Sequence, residues 1–175
     1  MLDTIEIALT EDWEAVCRFY EEVCTFQAAQ PYGPRWQYGI YPAQEDLMGR
    51  IQRRELLLGR SGGRIAATMV MARGEDPNYR DVPWSLTAEP ERVCVLHLLA
   101  VHPDFRGQHL SKRMLEELFR RGREAGLQAV HLDVILGNPQ AEALYQKAGF
   151  RFAAEKAVWY PDTGDIAVRL YEYPL

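Results

Sequence analysis

The sequence predicts a single α/β domain of the α+β kind over residues 1–175, with a central mixed, mostly antiparallel sheet and helices on both faces. Three observations carry that prediction. Short apolar runs with strand character alternate along the chain with runs whose apolar residues recur at helical spacing. Residues Val93 to Val101 are apolar on both faces, as expected of a strand covered by two layers. From there the chain runs through a turn, a periodic helix, a second apolar strand and an asparagine-capped helix. That order makes the two strands a parallel pair joined by a right-handed crossover.

Taken in order, Ile5 to Leu9 alternates and reads as a first strand. Thr10 is the expected cap of a helix whose apolar face holds Val16, Phe19, Tyr20 and Val23. Residues Pro31 to Pro42 combine prolines, glycines and aromatics and read as a loop. A second helix is expected from about Ala43 to Arg53. Glu55 to Arg60 and Arg64 to Met71 then form a hairpin around Ser61 to Gly63. Gly74 to Arg92 is a second long loop, containing Tyr79 and Trp84. Val93 to Val101 is the central strand, and His97 is its one polar side chain.

Leu110, Met114, Leu115, Leu118 and Phe119 define the apolar stripe of the next helix, which Gly126 ends. Ala129 to Leu136 is the following strand. Asn138 caps a helix with Pro139 at its first position and Gly149 just past its end. Phe150 to Val158 and Asp165 to Tyr173 close the chain as a hairpin.

Composition narrows the function classes. The chain is 47% hydrophobic and 26% charged with a net charge of −5, which argues against a nucleic-acid partner. No apolar run is long enough to cross a bilayer, and Met1 to Glu6 lacks the pattern of a signal peptide, so no membrane partner and a cytoplasmic location are expected. Cys17, Cys24 and Cys94 have no metal-ligand spacing, and they read as free thiols rather than as a disulfide or metal site.

Two segments carry chemistry. Arg106-Gly107-Gln108-His109-Leu110-Ser111 lies where a strand ends and a helix begins. The first amides of a helix have no internal acceptor and the helix dipole is positive there, so an anion fits. Gly107 can aim successive N–H groups at one phosphate, and Arg106 adds charge. The segment has neither the Gly-Lys-Ser/Thr of a P-loop nor the glycine spacing of a dinucleotide fold. In the second segment, Asn138 to Phe150, residues Ala141, Leu144, Tyr145 and Ala148 share one helical face, and the two alanines leave room for close approach. Read alone, that segment is better explained as a plain amphipathic helix with Asn138 as cap and Tyr145 in the core, since aromatics at helical spacing are usually core.

Together the two segments resemble the GNAT family of acetyl-CoA-dependent N-acetyltransferases. The family's phosphate motif, Arg/Gln-x-x-Gly-x-Gly/Ala, is matched in its opening Arg106-Gly107, with His109 and Ser111 standing where glycine and glycine or alanine are usual. Its second motif, Asn-x-x-Ala-x-x-Leu-Tyr-x-x-x-Gly-Phe, is matched by Asn138, Ala141, Leu144, Tyr145, Gly149 and Phe150.

The resemblance implies the acyl-CoA N-acyltransferase fold, with a parallel strand pair that splays apart. It implies acetyl-CoA as co-substrate, a small-molecule or peptide amine as acceptor, no metal, and direct transfer in a ternary complex. Backbone groups of Leu99, Ala100 and Val101 would hold the pantetheine arm and residues Arg106 to Ser111 the pyrophosphate. Asn138 would lie beside the arm, and Tyr145 would protonate the departing thiolate. His97 is the leading candidate base, read as sharing a strand face with Leu99 and Val101, and Asp133 has a similar claim. The irregular loops would contribute an aromatic wall of Tyr32, Trp36, Tyr38, Tyr41, Tyr79 and Trp84 around the acceptor. The closing hairpin could pair between subunits in a homodimer. The rival reading is a non-catalytic acyl-CoA-binding or sensing module.

Overall fold

A computed structural model describes residues 2–175. Its sheet runs β1-β2-β3-β4-β5-β7-β6. The strands are β1 (Thr4–Ile7), β2 (Leu56–Ser61), β3 (Arg64–Arg73), β4 (Val93–Val101), β5 (Ala129–Ile135), β6 (Arg151–Tyr160) and β7 (Gly164–Pro174). The helices are α1 (Trp13–Ala28), α2 (Gln44–Gln52), α3 (Leu110–Glu124) and α4 (Pro139–Ala148). Every neighbouring pair of strands is antiparallel except β4 and β5, which run parallel as the crossover predicts.

Each face of the sheet has its own core. On one face Met114, Leu115 and Leu118 of α3 pack with Met69, Leu96, Val130 and Leu132 of the sheet and with Tyr145 of α4. Burying side chains of that size stabilises by about 1.5–3 kcal/mol each. On the other face Val16, Phe19, Tyr20 and Val23 of α1 and Leu47 and Ile51 of α2 meet Leu56, Leu58, Val70 and Ala100. A third cluster sits beneath the second long loop, where Tyr79 joins Val95, Val168 and Leu170.

The expected elements are present, with shifted ends. The largest local difference is at the start of α1. Thr10 does not cap it but lies inside a 3-10 turn, Thr10–Asp12, and the Asp12 carboxylate accepts the Leu9 N–H at 2.9 Å. α4 follows the sequence rules closely. Asn138 accepts the Ala141 N–H at 3.3 Å, and Gly149 closes the helix at φ 101°, a conformation costly to other residues.

Two irregularities open the sheet at its centre. β4 and β5 pair only at Val93–Ala129, Cys94–Val130 and Val95–His131, although both strands continue well beyond. β4 also bulges against β3. Val70 faces His97 and Thr68 faces Ala100, leaving Leu98 and Leu99 without partners on β3. Leu98 adopts φ 52°, which strains a residue with a Cβ. The Tyr20 hydroxyl donates to the Leu98 carbonyl at 3.2 Å, and Thr68 Oγ1 donates to Tyr20 at 2.9 Å, so the bulge is held from the α1 side.

The bulge reverses the side-chain alternation of β4. Leu96 before it and Leu99 and Val101 after it all face the α3 core, whereas Leu98 and Ala100 face α1. His97 pairs with Val70, whose side chain belongs to the α1 face. His97 therefore does not share a face with Leu99 and Val101, as uninterrupted alternation had suggested. It lies on the face that the two long loops cover.

Candidate active site

Where β4 and β5 part, a cavity of 460 Å³ opens between them. Leu96 to Val101 form one wall and Asp133 to Ile135 the other. One end reaches Arg106 and Ser111, and the α4 side contributes Asn138, Ala141 and Tyr145. The opposite end is lined by Trp36 and Tyr41 of the first loop and by Tyr160 and Asp162 at the tip of the β6–β7 hairpin.

At the Arg106 end, α3 begins at Leu110 without a side-chain cap, and its N-cap residue, His109, has left-handed backbone angles (φ 56°). Gly107 is left-handed too, at φ 77°. The first-turn N–H groups of α3 are thus not taken up by a capping side chain, unlike those of α4. The Arg106 guanidinium lies 5.0 Å from the Phe26 ring, tying this turn to α1. The side chain of His109 is exposed while that of Leu110 is buried in the α3 core. Gly107, Gln108, His109 and Leu110 border the cavity mouth in sequence without lining its wall.

Just upstream, the buried His102 shapes the entry to the turn. Its Nδ1 accepts the Asp104 N–H at 3.2 Å while Nε2 faces Glu22 at 2.6 Å. The Asp104 bond assigns Nδ1 as acceptor, so the Nε2 proton is donated to Glu22.

Around the middle of the cleft, four tyrosines surround Asp133. The Tyr79 hydroxyl donates to its carboxylate. Burial, and after it the charge of Asp133, raises the pKa of Tyr41, Tyr79, Tyr145 and Tyr160 above the usual phenol value. All four hydroxyls therefore stay protonated at neutral pH. Tyr145 belongs to the α3 side of the sheet and the other three to the loop side, so the carboxylate acts across the gap between β4 and β5. His97 is close by, its side chain 12% exposed and its Nε2 3.6 Å from the Asp76 carboxylate. Burial lowers its pKa, outweighing Asp133 and Asp76, so the ring is neutral at pH 7 and able to accept a proton.

The cleft thus joins His97, Leu99, Ala100, Val101, Arg106, Ser111, Asn138 and Tyr145, all singled out from sequence. The aromatic wall is only partly as expected. Tyr32, Trp36 and Tyr41 line the cleft, but Tyr38 accepts a hydrogen bond from Gln44 at a separate groove beside Cys17. Tyr79 is buried beneath Asp133, and Trp84 stacks on His131 at 3.6 Å between ring centroids. Trp84 therefore pins its loop to the sheet. Tyr160 and Asp162 were missed. An aromatic beside a Pro-Asp-Thr-Gly turn was the available signal, but nothing local places that turn over a strand some sixty residues earlier.

No cysteine lines the cleft. Cys24 and Cys94 are free and buried, and burial pushes their thiols up to about 11 and about 12, so neither is a ready nucleophile. Among the described residues, no group of three or more His, Cys, Asp or Glu side chains is placed to hold a metal ion.

The profile of the acetyltransferase (GNAT) family matches residues 13–150, most of the chain. The chain belongs to the acetyltransferase (GNAT) family. Its fold agrees with solved GNAT proteins along nearly the whole length. A GNAT acetyltransferase from Listeria monocytogenes superimposes with a TM-score of 0.77 at 20% identity, over 98% of this chain and 94% of that one. An acetyltransferase from Salmonella typhimurium, solved with its cofactor acetyl-CoA, superimposes with a TM-score of 0.68 at 14% identity, over 98% and 93%. By sequence, the ribosomal protein bS18-alanine N-acetyltransferase of Escherichia coli is 35% identical over 70 residues, which cover 40% of this chain and 47% of that enzyme. The match thus spans about half the length of this curated relative. Within the GNAT fold, the opening between β4 and β5 is where the strongest chemical features of this chain converge.

Proposed function

We propose that the protein transfers an acetyl group from acetyl-CoA to a primary amine by direct transfer in a ternary complex. The observation that carries this reading is the continuous cleft between the parted strands β4 and β5. It runs from a helix N-terminus without a side-chain cap, past Tyr145, to a carboxylate and a neutral histidine. Its residues fit an extended thioester with a diphosphate at one end. First-turn amides of α3, with Arg106 and Ser111, bind the diphosphate. The backbone of Leu99 to Val101, which has no partner on β5, binds the pantetheine amides. Asn138 stays engaged with Ala141 as the cap of α4, so it shapes the wall beside the arm.

Asp133 holds the incoming ammonium, and His97 takes the proton that the amine must lose. The amine nitrogen bonds to the carbonyl carbon as the carbon–sulfur bond breaks. An N–H of the β4 bulge near Leu99 meets the charge that develops on the carbonyl oxygen. Tyr145, protonated and facing the cleft, supplies a proton to the departing thiolate. Acetyl-CoA supplies the acyl group and a leaving group that this proton makes viable.

The test is a thermal-shift titration with acetyl-CoA, ATP serving as control, followed by measurement of thiol release in the presence of primary amines. A saturable rise in melting temperature specific to acetyl-CoA, with amine-dependent thiol release, is expected. A shift without thiol release from any amine would instead identify a non-catalytic acyl-CoA-binding domain.

A further inference from the structure

The acceptor end of the cleft has an unbalanced charge. Asp133 and Asp162 both line it, and among the described lining residues the one arginine or lysine is Arg106, at the opposite end. Arg50 lies behind the wall, but Glu55 holds it at 2.8 Å and is itself nearly buried. Asp133 takes the Tyr79 and Tyr160 hydroxyls, both neutral donors, and among the described residues neither carboxylate is in an ion pair with an arginine or lysine. The Arg50 charge reaches Tyr41 and His97 from its pair with Glu55, so the lining itself presents carboxylates without a cation of its own, and a cationic ligand complements them.

The space between the carboxylates is aromatic. Tyr41 lies within electrostatic reach of both. Its ring stands 5.6 Å from that of Tyr160 and 6.5 Å from that of Trp36, and such surfaces attract ammonium groups. An independent feature points to a hydrogen-bond donor. Gln27, which also lines the cleft, has its Oε1 buried without a hydrogen-bond partner among the described residues. It lies one turn along α1 from Cys24, a thiol that the charge of Asp162 reaches. The first loop and the hairpin tip meet above this end. The Gln37 side chain donates to the Asp162 carbonyl at 3.0 Å, tying the first loop to the hairpin tip.

We infer that the acceptor is a small amine bearing a second positive charge, its reacting nitrogen at Asp133 and its distal ammonium against the paired Tyr41 and Tyr160 rings, beside Asp162. The inference rests on the acetyl-transfer reading and adds the substrate class. No bond is made to the distal group, which serves only to bind and orient.

The experiment compares kcat/KM for 1,4-diaminobutane, for its neutral isostere 4-amino-1-butanol and for an alanyl tripeptide, with acetyl-CoA saturating. The diamine is expected to lead the amino alcohol by on the order of 10- to 100-fold, the worth of one charge-assisted contact. Asp162→Asn, which leaves the backbone carbonyl for Gln37, is expected to collapse that lead to a few-fold. Glu45→Gln, on the exposed side of α2, is expected to keep it. Equal rates for diamine and amino alcohol, a lead that survives Asp162→Asn, or preference for the tripeptide would each overturn the inference. A binding arm separates the two readings. If no amine releases thiol but the diamine still raises the melting temperature of CoA-saturated protein, and not of its Asp162→Asn variant, catalysis fails and the dication site stands. Thiol release from monoamines without a diamine preference has the opposite meaning.

Discussion

The two ends of the cleft are built differently. The Arg106–Tyr145 end comes from one continuous stretch, 93–150, in which a strand, a turn and two helices follow one another and each backbone group is near its neighbours in sequence. The acceptor end is assembled from the first loop, β5 and the terminal hairpin, with Tyr79 of the second loop behind Asp133, brought together by the sheet order β5-β7-β6 and contacts such as Gln37 to Asp162. The first end presents the uncapped amides of α3, and the His109 side chain there is exposed. The second is made of side chains, so single substitutions there redirect its chemistry.

That contrast can be broken most forcefully at Tyr145, where the ends meet. Tyr145→Phe keeps the ring packed against Phe150 but removes the proton donor. It is expected to lower kcat by about 10²-fold or more while leaving the acetyl-CoA thermal shift in place. An equal loss of shift and rate would make Tyr145 a packing residue instead. At the other end, Arg106→Glu is expected to raise the KM for acetyl-CoA by about tenfold with little change in kcat, since it weakens binding of the diphosphate throughout the reaction. Steady-state kinetics with the amine held saturating would show the opposite split if the turn did not carry the phosphates.

A smaller effect concerns His97. Burial lowers its pKa from the ordinary 6.5, so above that pH the ring is neutral whether the chain is folded or not. As pH falls through 6.5 the unfolded chain takes up a proton that the folded one refuses, and stability drops. His97→Gln removes that proton uptake. The melting-temperature difference between about pH 7.5 and about pH 5.5 is expected to be smaller in the variant than in the wild type. The acid limb of kcat/KM is expected to change shape in the same variant, and an unchanged profile would remove His97 as the base.

How far the sequence was legible follows the same division. The β4–turn–α3–β5–α4 stretch could be read nearly residue by residue, because caps, periodicity and the Asn138-to-Phe150 motif are local signals. The facing of His97 could not. One extra residue in the bulge at Leu98 flips the alternation, and the bulge is held by Tyr20 from a helix some 78 residues earlier. Tyr38 and Trp84 were plausible cleft residues by composition, yet Gln44 and His131 claim them instead. Tyr160 entered the site because β6 runs two residues beyond Val158, bringing the hairpin tip over the opening.

The most direct test of the central claim, that the parted strands β4 and β5 form the donor channel, is amide hydrogen exchange with and without acetyl-CoA. The account predicts slowed exchange at residues 96–101 and 106–113, with 160–163 changing only when an amine is added as well. Unchanged exchange across both donor segments, or protection confined to the separate groove beside Tyr38, would contradict it.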